Sequence, residues 1–187
     1  IRLDDKKIHY NINLTTILLN KPKGYISTKS DERGRKTIFE LIPKNPPLNH
    51  VGRLDKDTTG LILIAKTDET AANLMEQFKS RKVKKVYLAF CHGNPFESLE
   101  KLIAKQGVSV SKKGDINIMT NIGRDQKNRE LMSVKADVGK KAISQLKLLK
   151  VFDLENNRKV SLLQCNIETG RTHQIRVHLS YVGHSIL

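Results

Sequence analysis

Hydrophobic and polar residues alternate in several short stretches of this chain and recur at helical spacing in others. Ala71, Leu74, Met75 and Phe78 are spaced for one face of a helix. Thr67 ahead of Asp68 and Glu69 supplies an N-cap and two acids for the positive helix end, so a helix is predicted over 68–79. Leu61-Ile-Leu-Ile-Ala65 reads as an unbroken apolar strand, and Thr16-Ile-Leu-Leu-Asn20 as a β-rich run closed by Lys21-Pro-Lys-Gly24. Over 83–91, Val86, Leu88 and Phe90 alternate with Lys85, Tyr87 and Ala89. That alternation predicts a half-buried strand with its apolar face on the core and Lys85 and Tyr87 on the other. Apolar positions 38, 39, 41 and 42 give a short helix stopped by Pro43, with Lys44 to Asn49 as loop. A further short helix fits 96–105. Residues 111–129, polar and interrupted by glycine, read as an exposed excursion. Two strands follow, 141–151 and 160–168, joined by a turn over 154–158. Thr172 caps a last helix with Ile175, Leu179 and Val182 on one face, and Gly183 ends it. Residues 1–14 read as a short strand and a turn at Asp4-Asp5-Lys6. Strands outnumber helices and no strict βαβ alternation appears, so the expected class is α+β with a mainly antiparallel sheet and flanking helices.

Charge narrows the partners. Lys and Arg total 34 against 19 acidic residues, a net charge of +15. Such an excess calls for a partner with dense negative charge. No stretch reaches the ~20 apolar residues needed to span a bilayer and no polybasic amphipathic helix stands out, so the expected partner is nucleic acid and not membrane. The two cysteines, Cys91 and Cys165, lie far apart in apolar strand contexts. They read as buried small hydrophobes in a reducing compartment.

Against that basic background one acid stands out. Gly52-Arg-Leu-Asp-Lys-Asp-Thr-Thr-Gly60 runs straight into the apolar strand at Leu61. Asp55 therefore sits in a loop fixed to a buried element, two residues from Arg53, where a carboxylate can serve as nucleophile or base. The ordinary alternative is an Asp that merely caps a turn. Gly52 and Gly60 bracket the loop and are expected to permit close approach of another backbone. Tyr87 offers either a core ring or a stacking platform for a base with a hydroxyl able to exchange a proton; Lys85 on the same face could meet a phosphate. Arg171 and Arg176 lie near a predicted helix start, where the macrodipole disfavours cations, so a compensating anion is expected. Arg176 follows Ile175 of the buried stripe and could reach a carboxylate with its planar fork. Lys79-Ser-Arg-Lys-Val-Lys-Lys85 feeds into the Tyr87 strand and reads as one edge of an RNA track. His173, His178 and His184 have spacings that do not share a helical face, and no acid or thiol joins them, so no metal is expected. No phosphate-binding or dinucleotide glycine loop and no serine elbow is present.

These residues fall into an ordered set. Gly52-Arg-Leu-Asp-Lys-Asp-Thr-Thr-Gly-Leu61 resembles the catalytic motif of the pseudouridine synthases, and Lys84-Lys-Val-Tyr-Leu-Ala89 resembles their tyrosine motif. Ile122-Gly-Arg-Asp-Gln-Lys-Asn-Arg129 and Glu168-Thr-Gly-Arg-Thr-His-Gln-Ile-Arg-Val-His-Leu179 look like the RluA-type branch. Asn20-Lys-Pro-Lys-Gly-Tyr-Ile-Ser-Thr28 and Asp31-Glu-Arg-Gly-Arg-Lys-Thr37 look like the RsuA-type branch. The resemblance implies a pseudouridine synthase-like catalytic domain over 15–187, ending short of the family's usual C-terminal structure, with 1–14 as the tail of a preceding S4-like RNA-binding domain. It implies that Asp55 is the catalytic carboxylate, that Tyr87 stacks on the target base and assists proton removal, and that Arg176 pairs with Asp55. Arg53 would hold the flipped nucleotide, with Lys85, Arg171, His173 and Gln174 as further substrate-binding residues. The family uses no cofactor and no metal. The implied activity is conversion of uridine to pseudouridine in ribosomal RNA, by a monomer, in a bacterial cytoplasm or an organelle matrix. A catalytically idle relative that only binds ribosomal RNA is the alternative. A sugar or nucleoside hydrolase would need a second acid, for which Asp57 is the obvious residue.

Overall fold

The computed structural model describes residues 2–3, 6–7, 15–43 and 48–187. The chain divides into two compact units, Ile1–Lys82 and Val83–Leu187. In the first, β1 (Arg2–Leu3) and β2 (Lys6–Lys7) form a small antiparallel ribbon. The turn expected at Asp4 and Asp5 lies outside the described residues, as does most of the loop expected over 44–49.

The core of the first unit is a three-stranded antiparallel sheet. Its order is β3 (Thr16–Lys21), β5 (Gly60–Ala65), β4 (Asn49–Val51), with Leu18 opposite Leu63 and Val51 opposite Leu63 on the other side. The apolar run of β5 supplies both faces. Ile62 and Ile64 pack with Ile38, Ile42 and Leu48, while Leu63 and Ala65 pack with Ala71, Leu74 and Phe78 of α1 (Asp68–Lys79). Helix α1 has the bounds its apolar spacing predicts. The Thr67 hydroxyl accepts from the Thr70 amide at 3.1 Å, satisfying one of the N–H groups the first turn leaves over. The helix predicted over 38–42 is a single 3-10 turn, Ile38–Glu40, with Glu40 accepting from the Thr37 amide at 2.6 Å. Strand β4 was not predicted, because three residues are too few to show a period.

The second unit is a six-stranded antiparallel sheet. Its main path is β6 (Lys85–His92), β11 (Lys159–Ile167), β10 (Lys140–Asp153), β8 (Ile116–Arg124), β7 (Val108–Val110), and β9 (Met132–Lys135) also pairs with β8. Helices α2 (Leu99–Ile103) and α3 (Gln174–Tyr181) accompany it. The core side collects Cys91, Leu102, Ile116, Ile118, Leu146, Leu163, Cys165 and Leu179. Both cysteines are buried free thiols, their pKa values pushed up by burial to about 11 and about 12. Both units are thus mixed helix and antiparallel sheet, the α+β class expected.

Two readings of the sequence are corrected. The stretch 111–129 is no excursion: it holds β8, paired to β10, β7 and β9. Ile116, Ile118 and Ile122 point inward at period two with Thr120, while Asn117, Met119 and Asn121 occupy the other face. The faces of β6 are also the reverse of those expected. Val86, Leu88 and Phe90 are 59%, 68% and 46% exposed, whereas Tyr87 and Ala89 pack with Cys91 against the core. Aliphatic weight suggested the opposite. The decision falls to the register with β11, which sets Tyr87 beside buried Cys165 and Cys91 beside buried Ser161.

Candidate active-site elements

In the first unit the feature that matters is how the loop carrying Asp55 is held. Asp55 follows β4 and starts a tight turn, with the Thr58 amide donating to the Asp55 carbonyl at 3.1 Å. The residues on both sides of Asp55 are pinned through their backbone. The Ser27 hydroxyl donates to the Leu54 carbonyl at 2.9 Å and accepts from the Leu54 amide at 3.1 Å. The Lys56 carbonyl accepts from the Gly24 amide at 2.9 Å and from Lys21 Nζ at 3.0 Å.

Lys21 is fully buried at the end of β3. Its ammonium also donates to the Pro22 carbonyl at 3.0 Å and the Tyr25 carbonyl at 2.8 Å, so all three of its protons have acceptors. Burial lowers its pKa, and the Asp57 and Asp55 carboxylates act in the opposite sense. A buried cation fully used by backbone carbonyls is a brace for the loop, and its field falls on Asp55. Sequence reasoning quoted Lys21 and Ser27 within a motif but gave them no task. Gly52 and Gly60 have φ of +78° and +125°, and a Cβ at either would meet nothing within 4 Å. They serve the backbone conformation at the two ends of the loop, and not the close approach of another backbone expected of them. Arg53 is exposed and Asp55 half-buried.

The second unit carries the other expected residues. Tyr87 is half-buried on β6. Lys85 Nζ donates to the Glu168 carbonyl at 3.1 Å, joining the start of β6 to the loop that leads into α3. Arg171 in that loop donates from Nε to the Lys141 carbonyl at 2.9 Å. His173, with φ of +55°, is the residue before α3; Thr172 is not the cap. Arg176 is the third residue of α3 and exposed.

Gln174, expected to contact substrate, is instead turned inward and 3% exposed. Its Nε2 donates to the Ile143 carbonyl at 3.0 Å and the Ser144 hydroxyl at 2.9 Å. Its Oε1 accepts from the Thr169 hydroxyl at 2.7 Å and the Arg171 amide at 3.0 Å. That uses the full capacity of its amide. His178, one turn on, is fully buried, with Nδ1 at 2.9 Å from Ser144 Oγ and Nε2 at 3.1 Å from Thr120 Oγ1. Burial pushes its pKa down to about 4. Sequence reasoning weighed His178 only as a metal ligand. Its position four residues after Gln174, on one helical face, was the available signal.

A comparison with known families decides what these elements belong to. Residues 15–181 match the family described as RNA pseudouridylate synthase. The chain belongs to that family. A ribosomal large subunit pseudouridine synthase D of Borreliella burgdorferi is 35% identical over 183 residues, covering 91% of this chain and 50% of the relative. A Bacillus subtilis protein described as the uncharacterized RNA pseudouridine synthase YlyB is 38% identical over 191 residues, covering 96% of this chain and 55% of the relative. The chain therefore spans about half the length of such curated pseudouridine synthases. Among solved structures, human RNA pseudouridylate synthase domain containing 1 superposes with a TM-score of 0.69 at 23% identity, over 95% of this chain and 65% of that one. At that identity the likeness speaks for the fold alone.

Proposed function

We propose that this chain is catalytic-domain sequence of an RNA pseudouridine synthase that isomerises uridine in ribosomal RNA, with Asp55 as its catalytic carboxylate. Family membership supports the reaction class, and the names of relatives such as the Borreliella burgdorferi enzyme support ribosomal RNA of the large subunit as substrate. The observation that carries Asp55 is its loop, fixed at Leu54 and at Lys56 by Ser27 and Lys21. A reacting carboxylate needs such fixing, since a misplacement of about 1 Å can cost ~100-fold in rate.

Uridine leaves the base stack to expose its glycosidic bond. The Asp55 carboxylate then acts on the sugar, by attack at C1′ or by removing a ribose proton to give a glycal. The N1–C1′ bond breaks and the detached uracil rotates. C5 bonds to C1′ as the Asp55–C1′ bond breaks, or as the ribose proton returns to the glycal; the C5 proton leaves and N1 gains one, so Asp55 is regenerated and the product is an isomer of the substrate. Tyr87 stacks on the base and takes the C5 proton. Arg176 supplies the positive counter-charge in this reading. Arg53 holds the flipped nucleotide, and Lys85, Arg171 and His173 line the approach of the RNA.

The test is an Asp55→Asn variant of the full-length protein, given unmodified large-subunit ribosomal RNA carrying tritium at uridine C5. The wild type should release tritium and the variant should bind the RNA and release none. Release by Asp55→Asn would overturn the assignment. Binding without release by the wild type would make the protein an idle RNA binder.

A further inference from the structure

We propose that a buried, directional hydrogen-bond chain through His178 orients α3 and so places Arg176 for catalysis, which makes His178 a positioning residue; this rests on the reading of Asp55 and Arg176 given above.

The direction of the chain follows from backbone groups whose polarity is fixed. The Arg171 amide can only donate, so the atom facing it is Gln174 Oε1; the Ile143 carbonyl can only accept, so the atom facing it is Gln174 Nε2. The second proton on Nε2 goes to Ser144 Oγ. Ser144, having accepted from Gln174, has its own hydroxyl proton for His178 Nδ1. The imidazole proton is then on Nε2 and goes to Thr120 Oγ1. In the opposite tautomer Ser144 Oγ would accept from both Gln174 and His178, and its own buried proton would have no acceptor among these bonds. Thr169 closes the other end: its hydroxyl accepts from the Ile143 amide at 2.9 Å and donates to Gln174 Oε1. With His178 neutral and in this tautomer, every donor on the fully buried residues Gln174, Ser144 and His178 has an acceptor, and the one hydroxyl proton left over is on half-buried Thr120.

Geometry gives the chain its task. Gln174 and His178 are four residues apart on the inward face of α3, and both bond to the one hydroxyl of Ser144 on β10. Thr120 ties the same ring to β8. The apolar neighbours Val177 and Leu179 anchor the helix but do not fix its rotation, because dispersion contacts have no direction. Two hydrogen-bonded points on one face do fix it. Arg176 lies midway between them, and a small roll of α3 would be enlarged at its guanidinium, several bonds from the backbone.

The experiment measures tritium release in single turnover at saturating RNA, RNA affinity and thermal midpoint for the full-length wild type, His178→Phe, His178→Asn, Ser144→Ala, Thr120→Val and the Ser144→Ala/His178→Phe double variant. In the expected result His178→Phe lowers the rate by roughly tenfold or more with RNA affinity within about twofold. The double variant is no slower than His178→Phe, since the chain acts as a unit. His178→Asn, which returns a carboxamide near the Nδ1 position, recovers part of the rate. If His178→Phe does not fold, Thr120→Val and Ser144→Ala decide, each expected to slow release without loss of affinity. Wild-type rates in the folded variants, or losses that multiply in the double, overturn the positioning role alone. A wild type that releases no tritium overturns the functional reading and the positioning role with it.

Discussion

Lys21 and His178 are two buried titratable groups with opposite accounts. Lys21 stays useful as a cation because three carbonyls take its protons. Lys21→Met should leave those carbonyls short of donors around a fully buried side chain. A loss of about 3 kcal/mol in unfolding free energy is expected, measured by denaturant titration. Activity should fall further than stability accounts for, because Lys56 is freed beside Asp55. His178 is held neutral. Its folded pKa of about 4 lies below the ordinary 6.5, so the unfolded chain binds the extra proton between those values. Its contribution is complete above pH 6.5 and is lost as pH falls toward 4. Thermal melts from pH 7 to pH 4 should show a decline that His178→Asn flattens; equal slopes would remove His178 from the account. Asp55 and Arg176 were legible as residue types in a telling order. Lys21, Ser27 and Ser144 were not, since a hydrogen bond between residues far apart in sequence leaves no local pattern.

Elements were legible in proportion to their period. Helix α1 shows every signal at once, cap, acidic first turn and apolar stripe, and its bounds match. Thr67→Ala should cost about 1 kcal/mol by removing the acceptor for the Thr70 amide, checked by the shift in thermal midpoint. Strand β8 shows how composition misleads. Its inward isoleucines alternate properly, but Asn117, Thr120 and Asn121 between them gave the stretch a polar look. Ile118 is fully buried in a central strand, so Ile118→Ala should cost ~2–5 kcal/mol, whereas Met119→Ala, at a position 52% exposed, should cost little. Comparable losses at the two positions would contradict the alternation. Strand β6 was found, but its faces were assigned the wrong way round, since period two says which residues share a face and not which face is buried.

At the scale of the whole molecule charge is the dominant quantity. With a net charge of +15, RNA binding should be strongly salt-dependent. For ~6–10 phosphate contacts affinity should fall ~10³–10⁵-fold between 50 and 200 mM salt, measured by filter binding. A flat dependence would remove phosphate contacts as the basis of binding. The sequence by itself determined the α+β class, the helix at 68–79, the two long strands of the second unit and the ordered motifs of the pseudouridylate synthase family. Each of these is written in composition or in local periodicity. Only the tertiary structure decided which face of β6 is buried, that 116–124 is a central strand, that Gln174 points inward, that Ser27 and Lys21 bond to the Asp55 loop, and that His178 bonds to Ser144 and Thr120. Those outcomes depend on register and on pairing between distant strands, where one residue of slip exchanges the two faces and no local pattern records the choice.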